Sequence, residues 1–282
     1  MKSSIIFRVV CICLLLTIGV SSAYAEDEYM IDPEIDKVNN QILDEVLANI
    51  LEEKSIEMEP DASPMWASGT KDESDQGTHG FIAEQGVTIA SSGYASIKRF
   101  FTPSRLTTLM VASIKPDIDG AATFFQDHFY LPDGSGLGGY SLSAYDNFRN
   151  HYNGAVANYN AGNYTEAVER LGKAIHFISD INQPHHATGK AALVSKHTQY
   201  EAWVEENYER FAVTSMSGIT AYGNKSLLTI ADDSAAVARD NIDDADSLNE
   251  SRMENATNIT LKRAQRDAAG VIYKFCKDTG IV

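Results

Sequence analysis

Between residues 174 and 203 the chain reads AIHFISDINQPHHATGKAALVSKHTQYEAW, and four of its seven histidines fall in these thirty positions. His176 and Asp180 stand four apart, as do His197 and Glu201. On a helix, residues four apart share a face, one turn above the other. The pattern therefore asks for two helices that meet across the break at Pro184, with His186 in the connection. Two imidazole–carboxylate pairs facing each other with a histidine between them supply five ligands of the kind that suits Zn2+, enough for more than one ion. A single pair of this sort is ordinarily a solvated helix face. Two pairs and His186 leave a metal cluster and a histidine-rich helical hairpin both open.

The rest of the chain sets the frame. Apolar residues recur at helical spacing over roughly 78–92, 94–113, 141–161, 164–181, 193–212, 228–242 and 258–278, and no alternating strand pattern competes with them. Turn-rich pieces such as KPDIDG and LPDGSGLGG lie between. The expectation is an all-α, single-domain multi-helix bundle with long functional loops.

Two segments precede it. Lys2 and Arg8, an apolar run from Val9 to Val20 and the small-residue site Ala23-Tyr24-Ala25 make residues 1–25 a secretory signal peptide, too short to span a bilayer. A secreted protein is expected. Cys11 and Cys13 lie in that signal, so only Cys276 remains, and stability has to come from a core or from metal rather than from an intramolecular disulfide. Residues 26–65 hold thirteen acids against two lysines, a net −11. With +2 in the signal, residues 66–282 carry −7 of the chain's −16. Neither part has the basic stripe of a duplex DNA binder. The acidic segment has one amphipathic helical pattern, from Ile35 to Ile50, then a hinge with Pro60 and Pro64 before Trp66. From pattern alone, a pro-segment and an ordinary first helix are equally open.

Five stretches, in order, resemble the zinc-dependent phospholipases C of bacteria. DQGTHGFIAEQG is similar to that family's first-helix histidine motif, with His79 thirteen residues after Trp66. KPDIDGAATFFQDHFYLPDG resembles its P-D-x-D loop leading into H-F-Y-x-P-D. HFISDINQPHHA resembles H-x-x-x-D-x-x-Q/T-P-x-H-A, KHTQYEAW its H-x-x-x-E helix, and LKRAQRDAAGVIYKF its closing helix. The resemblance covers residues 66–282 and implies a catalytic domain with three zinc ions. Trp66, through its α-amino group and carbonyl oxygen, would join His79 on one ion. Asp180 would bridge that ion to a second, held also by Asp117, His128 and His176. His186, His197 and Glu201 would hold the third, leaving His151 and His185 as surface or supporting histidines.

An α-amino ligand exists only once the Met65–Trp66 bond is cut. The resemblance thus favours residues 26–65 as an inactivating pro-segment and implies a maturation protease. It implies hydrolysis of glycerophospholipids, phosphatidylcholine and related lipids among them, to diacylglycerol and a phosphorylated head group. The enzyme would be a monomer touching the membrane surface peripherally. Clustered zinc lowers the pKa of bound water from 15.7 towards ~7 and screens charge developing on phosphate, and Asp117 is the residue expected to orient or deprotonate the attacking water. Phe101, Phe124, Phe125, Phe129 and Tyr130 carry aromatic surface that can meet lipid, although core packing is the preferred reading for most of them. Relatives that favour choline lipids place an aromatic after the loop aspartate and an acid near the tryptophan; here Ile118 and Ala67-Ser68-Gly69 stand there. With the closing helix so near residue 282, the expectation is a chain without the β-sandwich of toxin-type relatives. The alternatives are a zinc-dependent single-strand nuclease or nucleotidase, which resembles the same helical core, and a non-enzymatic metal-binding surface protein.

Overall fold

The computed structural model of the chain describes residues 77–118, 125–139, 142–191 and 195–282, and every regular element among them is helical. The signal, the acidic segment and Trp66 lie outside the described residues. The helices are α1 (Gly77–Ser92), α2 (Ala95–Phe100), α3 (Pro103–Ile118), α4 (Ala144–Asn160), α5 (Tyr164–Ile181), α6 (Pro184–Thr188), α7 (His197–Asn207), α8 (Leu227–Asp240), α9 (Ile242–Ala245) and α10 (Glu250–Asp278). An all-α architecture is what the apolar spacing asks for.

Several boundaries differ from expectation, each for a local reason. The helix expected over 94–113 is two helices, because Pro103 opens α3 and disfavours the α conformation at Thr102 before it. α3 then runs through Pro116 to Ile118, so Asp117 lies in a last helical turn and not in a loop. His186, expected in a connection, sits on α6. Pro184 occupies the first turn of α6, and the Gln183 side chain accepts from the His185 and His186 amides. Gly189, at φ 70°, provides the left-handed residue that ends it. The closing helix begins at Glu250, not at 258, because Asn249 caps it by accepting from the Arg252 amide.

α5 is the central element. From Ala174 to Ile181 every residue is buried, so the helix is surrounded there and not merely docked along a stripe. It packs most extensively on α4 and α3, while α10 packs on α1. The α3–α5 approach depends on Gly172, where a Cβ would lie 2.5 Å from the Leu109 carbonyl oxygen and 2.7 Å from the Ala112 Cβ. α10 has 29 residues, about 43 Å at 1.5 Å per residue. It buries Leu261, Ala268, Val271, Ile272 and Phe275 in the single core. No helix among the described residues is long and apolar enough to cross a membrane.

Candidate metal centre

The buried end of α5 presents His176 and Asp180 from successive turns, both fully buried. Full burial of a carboxylate is costly unless opposite charge or hydrogen bonds meet it, and here four histidines do. Asp180 Oδ2 lies 2.8 Å from His128 Nδ1 and 3.1 Å from His176 Nε2; its Oδ1 lies 3.5 Å from His79 Nε2 and 3.4 Å from His186 Nδ1. Asp180 is the hub of the cluster.

Each neighbour arrives from a different element. α1 brings His79, whose ring lies 4.1 Å from that of His176. α3 brings Asp117, 3.3 Å from His176 Nε2 and 3.7 Å from both His128 Nδ1 and His79 Nε2. A 3-10 turn, Phe125–His128, brings His128. α6 and α7 bring His186 and the His197–Glu201 pair. His197 Nε2 is 2.8 Å from Glu201 Oε1 and 3.1 Å from His186 Nε2. Ligand atoms thereby gather in three groups, each within 4.8 Å: His79, His176 and Asp180; Asp117, His128 and His176; His186, His197 and Glu201. The structure thus brings together eight of the nine residues singled out from sequence, and the ninth, Trp66, lies outside the described residues. The grouping differs from the expected partition: His176, not Asp180, is the residue common to the first two groups.

The protonation pattern is that of a site built for cations. Burial pulls the His176 imidazole down, but the Asp117 and Asp180 carboxylates outweigh it and raise it to about 9. His186 is likewise raised to about 10, burial being overcome by Asp180 and Glu201. Burial opposes ionisation of Glu201, yet His197 and His186 hold it at about 2. His79 is depressed by burial and then by the other imidazoles.

The donor set fits zinc. Twice a pair of imidazole nitrogens faces inward at 3.1 Å, His176 with His128 and His186 with His197, beside a carboxylate oxygen. One proton satisfies only one nitrogen of such a pair, whereas a divalent cation takes both lone pairs. His176 Nδ1 donates to the Ser113 carbonyl at 2.9 Å, which fixes the tautomer and turns the Nε2 lone pair into the cluster. Imidazole and carboxylate without thiolate is a zinc-type set.

Several supporting residues surround the cluster. Gln183 holds two α6 amides with its oxygen and donates from Nε2 to Glu201 Oε1 at 2.9 Å. Glu205, one turn beyond Glu201, accepts from the Thr78 amide and hydroxyl and so anchors the start of α1 next to His79. His185 is buried, stacked 4.9 Å from His197 with its Nε2 3.4 Å from Asp246, which corrects any surface reading of it. His151 is half-buried and stacked on Phe177. Phe101, Phe129 and Tyr130 are buried in the fold, in line with core packing, while the side chains of Phe124 and Phe125 lie outside the described residues. Gln183 had one visible cue: a polar side chain just before a first-turn proline is a capping position.

Comparison with known proteins agrees with this geometry. The family model described as zinc dependent phospholipase C matches residues 78–269. A phospholipase C of Paraclostridium bifermentans is 27% identical over 236 residues, 72% of this chain and 59% of that one. A phospholipase C of Clostridium perfringens is 27% identical over 234 residues, with the same shares. The crystal structure of alpha-toxin from an avian strain of C. perfringens superposes with a TM-score of 0.66 at 23% identity, covering 74% of this chain and 66% of that one, a likeness of fold. The chain spans about three fifths of the length of these curated relatives.

Proposed function

The chain belongs to the zinc dependent phospholipase C family, and on that footing we propose that it is a secreted zinc metallophosphodiesterase. It hydrolyses glycerophospholipids, phosphatidylcholine and related lipids among them, between the glycerol and the phosphate. The products are diacylglycerol and a phosphorylated head group. The observation that carries this reading is the convergence of eight imidazole and carboxylate residues, seven buried and Asp117 half-buried, into three groups.

In this reading the ligands are His79, Asp117, His128, His176, Asp180, His186, His197 and Glu201, joined by the α-amino group and carbonyl of Trp66, for three zinc ions in all. When bound, zinc supplies Lewis-acid charge that stabilises negative charge developing on phosphate oxygens and makes water a nucleophile at neutral pH. The chain's own part is to hold geometry and move protons. Ser113 and Gln183 orient His176 and Glu201, and Asp117 orients the attacking water or takes its proton. Full burial of His79, His176 and Asp180 excludes bulk water behind the reacting phosphate.

The same reading assigns residues 1–25 to a signal peptide and 26–65 to an inactivating pro-segment, because Trp66 has a free amine only after a protease cuts Met65–Trp66. The mature enzyme is a monomer that meets its lipid at the membrane surface. The test compares the full exported chain with protein trimmed to begin at Trp66, on vesicles of several head groups and on single-stranded DNA, with zinc measured in each. Trimmed protein should cleave phospholipid, and the untrimmed chain should be at least tenfold slower, the low end of what loss of a metal's supporting partner costs. Faster cleavage of single-stranded DNA than of any lipid would replace this reading with a nuclease. An active secreted form beginning elsewhere than Trp66 would end the pro-segment assignment.

A further inference from the structure

Two segments that carry histidines of the cluster are short. His128 closes a short 3-10 turn, after which Phe129 and Tyr130 continue without regular structure. His186 stands on the five-residue α6. Between the two segments run one backbone hydrogen bond, from the Tyr130 amide to the His186 carbonyl at 3.1 Å, and one stack, Phe129 on the His186 ring at 4.7 Å and 24°. The stack allows sliding along the ring face, and a single hydrogen bond fixes one point and leaves rotation about it open.

A third tie comes from α8, which supplies no member of the three candidate groups. Arg239, in the last turn of α8, donates from Nε to the Ala187 carbonyl at 2.8 Å and from Nη2 to the Tyr130 carbonyl at 2.9 Å. Ala187 follows His186, and Tyr130 is two residues after His128. The guanidinium also lies over the Tyr130 ring, 5.6 Å from its centre, and the Tyr130 hydroxyl donates to Asp232 Oδ1 at 2.6 Å. Asp232 is seven residues before Arg239 and so on the same face of α8. That helix is itself seated in the core through Ile230, Ala231, Ala235 and Ala238.

We propose that Arg239 is a positioning residue of the metal centre: its planar fork ties the His128 turn to α6 and fixes the separation between the groups that contain His128 and His186. The proposal rests on the zinc reading above. A guanidinium holds two acceptors at a fixed angle because its N–H donors are rigidly coplanar, whereas a lysine ammonium reaches one acceptor well and leaves the other free. Losing the fork frees the two segments to drift apart by rotation about the stack. Both then keep their histidines but lose the spacing that suits the ions. Loss of a partner that orients metal ligands costs about 10–100-fold in metal affinity.

The experiment measures zinc release from zinc-loaded wild type, Arg239→Ala and Arg239→Lys into excess chelator, together with the melting temperature of each protein without zinc. Arg239→Ala should release zinc about 10–100-fold faster than wild type, with Arg239→Lys in between. Arg252→Ala, which breaks an exposed pair with Asp244 and touches neither segment, should release zinc at the wild-type rate. If Arg239→Ala does not fold, Arg239→Lys decides: faster release supports the proposal, and wild-type release overturns it. A lower zinc-free melting temperature with unchanged release also overturns it, since a purely structural arginine would give that result. Wild type that holds no zinc would remove the underlying reading instead, before any variant is compared.

Discussion

His176 alone belongs to two of the three groups, and it takes its orientation from the Ser113 carbonyl. Replacing it with alanine should lower bound zinc by at least one ion per molecule and cut phospholipid hydrolysis more than about a hundredfold, beyond the usual effect of losing a supporting partner. Metal analysis of the purified variant beside its rate checks this; unchanged zinc content would refute it. Gln183→Leu keeps the volume but strands two α6 amides and removes one of the donors to Glu201 Oε1. It should cost on the order of 1 kcal/mol for the cap and weaken zinc about tenfold or more, read by melting and by titration. The contrast explains what could be read in advance. His176, Asp180, His197 and Glu201 were visible because side chain meets side chain at a fixed helical spacing. Gln183, Ser113 and Arg239 work on or through backbone atoms, and a backbone amide or carbonyl is the same at almost every position. Cys276 follows a different rule: it is fully buried, and burial alone raises its thiol to about 12 from an ordinary value near 9. Below pH 9 the thiol is protonated folded or unfolded, so it contributes nothing to pH dependence. Between 9 and 12 only the unfolded thiol ionises, and stability falls as pH rises. Thiol labelling at pH 8, mapped to Cys276, should be slow until denaturant is added.

Helix by helix, the periodicity of 3.6 sufficed for α1, α4, α5 and α8, which are amphipathic or buried along a continuous run. It failed where a proline or a cap decided. Pro103 divided one apolar run into α2 and α3, and Asn249 began α10 within a polar stretch that carries no apolar spacing. The contact between α3 and α5 hangs on a missing side chain. Gly172→Ala would press a methyl group against the Leu109 carbonyl and the Ser113 amide, backbone that can yield only by moving α3. Overpacking of this sort costs typically 1–3 kcal/mol, roughly 2–12 °C in melting temperature for a domain of this size. It should also lengthen the His176–Ser113 hydrogen bond, so zinc affinity falls along with stability. An affinity equal to wild type in a destabilised Gly172→Ala would show that the helix spacing does not set the site.

Across the fold, buried imidazoles and carboxylates replace apolar packing at the one place where six elements meet. Their mutual attraction offsets only part of the cost of leaving water, and bound cations make up the rest. Melting temperature should therefore rise with free zinc, by about 1.4 kcal/mol of stability per site for each tenfold excess over the dissociation constant, and chelator should reverse the gain. A melting curve indifferent to both would mean that the cluster is structural only. The order in which the pieces are made has its own outcome. α10 follows every other described element along the chain, yet α1 rests against it through Gly86, whose added Cβ would lie 3.0 Å from the Ala268 Cβ. A nascent polypeptide still lacking those final turns leaves the helix that bears His79 without its seat. Loading of the ions then waits for the stretch around Ala268, and a message cut short before it should yield a product that more metal does not rescue.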